Sequence, residues 1–269
     1  MDARSEATSV LNAMKSASEK NERDNAFSSG EEFFFRKEKA MGREFSEELV
    51  NFIASTEVVA KKFSLKACEF LLQEDPKYCV LVCPTVSFAL EENSTPVKKV
   101  AIGVASVLFK GALLHVCHPG QQNVPEMESF WKKMVEMKDI VLGFVSHTND
   151  GIRAMSYKFM ETVVLCFSGS TASADSSSVH ADFSLSRIPA SHPFLFPTDL
   201  SKEGRSRLLE MLTLVSDSNA AISTTNLTQV IVSCSTIARA RPTLSPAILN
   251  ALLAFCASLS SRFPVSDAK

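Results

Sequence analysis

The 269-residue chain is poor in the residues that build turn-rich sheets, with 9 glycines, 1 tryptophan and 2 tyrosines. That scarcity argues against a β fold and leaves helix formers dominant between the loops. A strong charge of one sign is also missing, because 28 basic against 30 acidic residues leave a formal net charge of -2. No global field therefore favours tight nonspecific nucleic-acid binding, although a local basic edge stays open. There is no phosphate-cradling glycine loop and no Gly-x-Ser-x-Gly elbow. No signal-like segment precedes a small-residue cleavage site, and no apolar run is expected to approach the ~20 residues that span a bilayer. No membrane partner is expected on that ground, and the sequons at Asn93 and Asn226 are expected to stay silent.

The 7 cysteines, Cys68, Cys79, Cys83, Cys117, Cys166, Cys234 and Cys256, are scattered among apolar neighbours. An odd count without framework spacing points to reduced thiols and a cytosolic or nuclear protein. Cys79 and Cys83 lie one helical turn apart, and His115, Cys117 and His118 are close in sequence. Neither group has the paired Cys-x-x-Cys spacing of a zinc site, so no metal and no cofactor are expected. His147 has no serine or cysteine near it in the strained setting a nucleophile requires, and reads as a residue at a helix C-terminus. Glu47-Glu48 and Glu91-Glu92 read as surface acids. No catalytic residue is expected, and the chain is read as no enzyme.

What is present is helical periodicity. Residues 1–43 stand apart as a low-order, Ser-, Glu-, Lys- and Asn-rich extension, with weakly apolar Val10, Leu11 and Met14 and a dense Phe33-Phe34-Phe35 knot. The knot has two readings, a loosely docked element or a docking hook for a partner. From 44 to 269 apolar residues recur at helical spacing in nine segments. Ser46 opens the first as a cap, Asp75-Pro76 punctuates the series, and Pro84 is expected to kink its helix. A serine-rich connection at 168–199 interrupts the array, carrying Phe183, Leu185, Ile188, Phe194, Leu195 and Phe196 as residues able to pin it. The helix openings at Ser55-Thr56-Glu57-Val58, Ser94-Thr95-Pro96-Val97 and Thr148-Asn149-Asp150-Gly151-Ile152 repeat weakly. The spacing of Val58 and Val97 fits a unit of about 40–47 residues. Such pairs bury their faces only by stacking, so the expected fold is all-α, a HEAT/armadillo-type α-α superhelix.

The most telling stretch runs from Asn149 to Glu161. A polar turn with a glycine opens a helix whose buried stripe is expected to hold Ile152, Phe159, Met160 and Val163. Met155, Lys158, Glu161 and Thr162 follow three- and four-residue spacing and so share a face offset from that stripe. The second helix of a HEAT pair normally lines the concave side, and Asn226 and Thr228, near the start of a later such helix, are placed with them. The plain alternatives are a solvent-exposed Lys158–Glu161 ion pair and a capping role for Asn226. A different class of function, RNA binding, would use Lys61-Lys62, Lys98-Lys99, Lys132-Lys133 and Arg239-x-Arg241 as a basic edge. These lack the interleaved exposed aromatics that stack on bases.

Several segments resemble the symplekin family, the scaffold of mRNA 3′-end processing, and its fungal relative. They are Val97-Lys98-Lys99-Val100-Ala101-Ile102; Asn149-Asp150-Gly151-Ile152-Arg153 with Lys158-Phe159-Met160-Glu161; Arg187-Ile188-Pro189 with His192-Pro193; Glu203-Gly204; Ile222-Ser223 with Asn226-Leu227-Thr228; and Ile237-Ala238-Arg239 with Arg241-Pro242. They occur in the family's order from about Thr56 to Pro264. The chain departs from the pattern at Ser156-Tyr157, Thr225 and Ala240. The resemblance implies a nuclear, non-enzymatic HEAT domain serving cleavage, polyadenylation and histone pre-mRNA processing. Its implied partners are cleavage and polyadenylation factors and a phosphatase of the RNA polymerase II C-terminal domain, held on the concave face. Lys158 and Asn226 match family positions on that face; Glu161 and Thr162 join by helical geometry, and Thr228 by proximity. Direct nucleic-acid contact is not expected.

Overall fold

A computed structural model describes residues 2–118, 123–169, 183–217 and 220–262. Among these residues every regular element is helical. The α-helices are α1 Ala3–Ser16, α2 Lys20–Glu32, α3 Lys39–Glu44, α4 Ser46–Asn51, α5 Val58–Glu74 and α6 Cys79–Glu91. They continue as α7 Thr95–Val116, α8 Val124–Gly143, α9 Asp150–Cys166, α10 Pro197–Ser216, α11 Thr224–Ala240 and α12 Ser245–Arg262. Local chemistry sets many of these boundaries. Asn149 Oδ1 accepts from Ile152 N at 3.1 Å to open α9, and Pro197 occupies the first turn of α10, where a missing N–H costs nothing. Ser46, expected as a cap, is instead the first helical residue of α4 and makes no capping bond. Pro84 lies inside α6, which continues through it.

The chain forms two compact units, Met1–His115 and Val116–Lys269, a different division from the 1–43 extension and 44–269 domain expected from composition. The first 43 residues are helical and packed. Ala7, Leu11 and Met14, at helical spacing on α1, join Phe27, Phe33, Phe34, Leu49 and Phe63 in one apolar core. The phenylalanine knot is part of that core and no free hook. Phe35 stacks between Phe63 and Phe70, at 5.3 and 5.1 Å between ring centres, and Phe27 meets Phe52 edge-on at 5.2 Å. A single π-type turn, Phe33–Lys37, rotates the three rings inward. Gly42 permits the close passage of α3, since a Cβ there would sit 2.5 Å from Phe34 O.

The second correction concerns α7. At 22 residues it is long and apolar enough to cross a membrane, contrary to the expectation that no such run exists. Lys98, Lys99 and Lys110 punctuate the sequence and hide its length. Its Ala101, Ile102, Ala105, Leu108, Phe109 and Leu113 are buried in the fold.

In the second unit α10 and α12 form one layer and α9 and α11 the other, with α8 packed on α9. Helices α9 and α11 pack side by side, as do α10 and α12, while α10 packs with α11 between layers. The same tie recurs in both units. Ser64 Oγ, seventh residue of the 17-residue α5, donates to Val50 O at 2.5 Å, and Ser156 Oγ, seventh residue of the 17-residue α9, donates to Val141 O at 2.6 Å. In that frame Lys61, Ser64, Lys66 and Glu69 of α5 correspond to Arg153, Ser156, Lys158 and Glu161 of α9. The repeat therefore runs through the helix bodies as well as their openings.

The connection after α9 is fastened where it is described. Phe183, Ile188 and Leu195 are buried, whereas Phe196 is exposed. His192 Nδ1 accepts from Leu195 N at 3.0 Å, which leaves Nε2–H to donate to Val116 O at 3.1 Å. Most of the serine run, 170–182, lies outside the described residues.

Gly204 lets α10 reach the end of α9, because a Cβ there would meet Phe167 Cβ at 2.8 Å and Phe167 O at 2.9 Å. Gly204→Ala is expected to lower stability by about 1–3 kcal/mol in urea unfolding, because a backbone oxygen cannot move aside cheaply. The buried thiols of Cys68, Cys79 and Cys234 are pushed up to about 12 by burial. Raised native pKa values contribute stability below the unfolded thiol pKa near 9 that is lost as pH rises toward 12. The unfolding free energy from urea titration is expected to fall across that window by roughly 1 kcal/mol per thiol per pH unit, and Cys234→Ala to shallow the slope.

Candidate functional site

Helices α9 and α11 run parallel, and two hydrogen bonds fix their register. At the N-terminal end Asn226 Nδ2 donates to Asp150 Oδ1 at 3.2 Å, and at the C-terminal end Arg241 Nη2 donates to Leu165 O at 2.7 Å. Both pairs span 76 positions, so neither helix slips against the other between the two ties. The apolar stripe expected on α9 lies inward: Ile152, Phe159, Met160 and Val163 are all buried. Leu227, Val230, Cys234 and Ile237 supply the buried side of α11.

The five residues singled out in the sequence divide by depth. Lys158 is exposed at 47 % of its side chain, and Thr228 is exposed as well. Glu161 keeps only 3 % exposure, Thr162 6 % and Asn226 none. The patch is thus not a flat solvated face; two groups reach solvent and three lie beneath them. Lys158 Nζ meets Glu161 Oε1 at 2.7 Å, and Glu161 Oε2 is enclosed without a protein donor. The pair is therefore a half-buried one, unlike the solvated surface pair that spacing alone describes. Glu161 also lies near Cys234, where its charge adds to burial in raising the thiol.

Asn226 is no capping residue. Ser223 Oγ caps α11 by accepting from Asn226 N at 3.4 Å, and it also accepts from Asn226 Nδ2 at 2.9 Å. The amide is spent on Ser223 and Asp150, and its Oδ1 is enclosed without a donor. A side chain so held cannot present a glycosylation acceptor in the folded chain. Asp150 is shared further, since Arg153 Nη2 also bonds it while Arg153 Nη1 donates to His147 O at 3.0 Å. His147 Nδ1 accepts from Asn149 N at 2.9 Å and so shapes the turn into α9.

Sequence reasoning did not single out Asp150, Arg153 and Ser223 as a connected group. Asp150 and Arg153 lie in the telling segment, but their partner Asn226 comes from another helix. Arg241, assigned in sequence to a basic edge, is 3 % exposed and donates to Ser168 Oγ, Leu165 O and Phe183 O. Other members of that edge are also engaged: Lys61 with Glu92, and Lys132 with Glu128 at 2.8 Å. Among the described residues no group of three His, Cys, Asp or Glu side chains is placed to hold a metal ion.

Layered helix pairs with a parallel second layer place the second unit among stacked helical-pair proteins. The Symplekin/PTA1 N-terminal family matches residues 94–266, more than half of the chain, and the chain belongs to that family. The family's role is that of a scaffold in mRNA 3′-end processing. A crystal structure of an engineered protein aligns over 96 % of this chain and 97 % of its own, with 9 % identity and a TM-score of 0.47, a likeness that carries no argument.

The depth of Glu161 sets a testable consequence. Lys158→Ala is expected to cost about 1–2 kcal/mol of stability, because a buried carboxylate loses its cation. Adding Glu161→Gln should recover most of that loss in a double-mutant cycle read by urea unfolding. Additive losses would show that the two side chains do not interact.

Proposed function

We propose that the α9–α11 layer is a docking face for a phosphatase of the RNA polymerase II C-terminal domain. On this reading the chain works in the nucleus beside cleavage and polyadenylation factors. The observation that carries the reading is the family match over residues 94–266, which includes all of α9 and α11. The geometry supports it in a specific way. Lys158 offers an ammonium group that Glu161 holds in place, so little side-chain freedom is lost when a partner takes it. Asn226, fixed by Asp150 and Ser223, braces the neighbouring helix so that Thr228 stands at a set distance from Lys158. Glu161, Thr162 and Asn226 act from below the surface, and the partner touches Lys158 and Thr228 first.

The mechanism is positional. Nothing in the reading asks these side chains to make or break a bond. A rigid pair of helices holds the partner near the other members of the processing assembly and raises its effective concentration there.

The test must separate binding from folding, since Lys158 also compensates a buried charge. Glu161→Gln and the double substitution Lys158→Gln/Glu161→Gln both leave the buried position 161 uncharged, so neither strands a buried carboxylate. The double variant is expected to bind the recombinant phosphatase roughly tenfold more weakly than Glu161→Gln alone in titration calorimetry, the value of one lost charged contact. Equal affinity of the two variants would remove Lys158 from the interface. No measurable binding by the unsubstituted chain would overturn the reading itself.

A further inference from the structure

Helices α2 and α5 run parallel in the first unit, tied by two ion pairs. Arg23 Nη1 meets Glu57 Oε1 at 3.2 Å, and Lys66 Nζ meets both carboxylate oxygens of Glu31 at 2.7 Å. A cavity of about 460 Å³ opens along this seam, lined by Lys20 and Asp24 on α2, by Thr56, Val58, Val59 and Lys62 at the start of α5, and by the paired residues. Its charges do not balance. The two ties engage Arg23 with Glu57 and Lys66 with Glu31, whereas Lys20 and Lys62 meet no acceptor among the described residues. Lys62 is half-buried without a counter-ion, and the remaining acid, Asp24, is exposed.

The first turn of α5 adds donors to the same cavity. In the helix frame shared with α9, Glu57 and Val58 stand where α9 has Asn149 and Asp150. Asn149 caps α9, whereas Glu57 makes no capping bond and turns to Arg23. The N–H groups of Val58, Val59 and Ala60 therefore have no protein acceptor. Lys62 stands where α9 has uncharged Ala154. Compared with α9, α5 lacks a cap and a first-turn acid and carries an extra cation, all beside one cavity.

We propose that this cavity holds a phosphorylated serine or threonine side chain of a partner protein. A phosphate monoester brings nearly two negative charges and three acceptor oxygens, which match the free ammonium groups of Lys20 and Lys62 and the open first turn of α5. A carboxylate, with one charge and two oxygens, leaves donors over. The acids in the lining disfavour a nucleic-acid strand, whose successive phosphates would run past Asp24, Glu31 and Glu57. From Glu57 to Lys66 the seam follows α5 for about 13 Å, longer than one phosphate, and exposed Val58 beside Val59 gives the flanking peptide an apolar footing. The site lies wholly in the first unit and outside residues 94–266, so it does not rest on the docking reading for α9 and α11.

Amide NMR of the full chain at fixed ionic strength tests the site, with three probes: a phosphothreonine pentapeptide flanked by alanines, the same peptide without phosphate, and inorganic phosphate. The phosphopeptide is expected to shift the amide signals of Val58, Val59 and Ala60 saturably, the unphosphorylated peptide to leave them in place, and inorganic phosphate to act on them several-fold more weakly. Lys20→Ala and Lys62→Ala should each weaken the phosphopeptide by roughly fivefold, while Lys133→Ala on α8 changes nothing. Unaltered signals elsewhere in each variant check the fold. Amides of 58–60 that do not respond to the phosphopeptide, or a response undiminished in the Lys20→Ala/Lys62→Ala double variant, overturn the proposal. Inorganic phosphate binding as tightly as the phosphopeptide overturns the assignment to a partner protein.

Discussion

The fixed register between α9 and α11 is the constraint on which the second unit rests. Two parallel helices can slide by one turn at little cost when only apolar side chains meet, since such contacts carry no direction. Hydrogen bonds at both ends remove that freedom. Asn226 to Asp150 and Arg241 to Leu165 O span the same 76 positions, so a slip would leave polar groups stranded in a dry interior at both ends together. Arg241 adds a second duty by gathering Ser168 and Phe183 O, which ties the returning chain to the end of the same helix pair. Fold and candidate surface thus depend on the same few polar contacts.

That dependence explains the unusual depth of the site. Interfaces commonly place adaptable groups at the rim, yet Glu161 and Asn226 are enclosed, each with one oxygen that meets no protein donor. Such atoms are costly in isolation. Here they hold exposed neighbours, Lys158 above Glu161 and the first turn of α11 above Asn226, in one arrangement. A scaffold gains from this because a fixed surface loses less freedom on binding. In the first unit the corresponding lysine, Lys66, takes Glu31 of α2 instead of the acid on its own helix, with both carboxylate oxygens at 2.7 Å. The same helix frame thus presents its lysine differently according to its neighbours.

How far the sequence revealed this can be judged residue by residue. The buried stripe of α9 follows directly from spacing, and the helices from α4 to α12 fall where apolar period and proline punctuation put them. The first three helices did not stand out, because their apolar residues are few and become a core only when Phe63 and Phe70 of α5 arrive. The phenylalanine knot left two readings open, a loosely docked element or a hook, for the same reason, since a π-type turn and distant rings decide its direction. Helical geometry put Lys158 and Glu161 on one face correctly but gave no measure of depth. That depends on α11, whose register is set by Asn226 and Arg241 and is invisible in either segment alone. Arg241 was assigned to a basic edge because charge normally seeks solvent; four acceptors around it reverse that rule.

Hydrogen–deuterium exchange of the chain with and without the phosphatase tests the central claim most directly, because it reads every backbone amide on both helices together. If α9 and α11 form one docking face, binding slows exchange in segments 150–162 and 224–236 in concert while α12 stays unchanged. Slowed exchange confined to one of the two helices, or to the first unit alone, would contradict it.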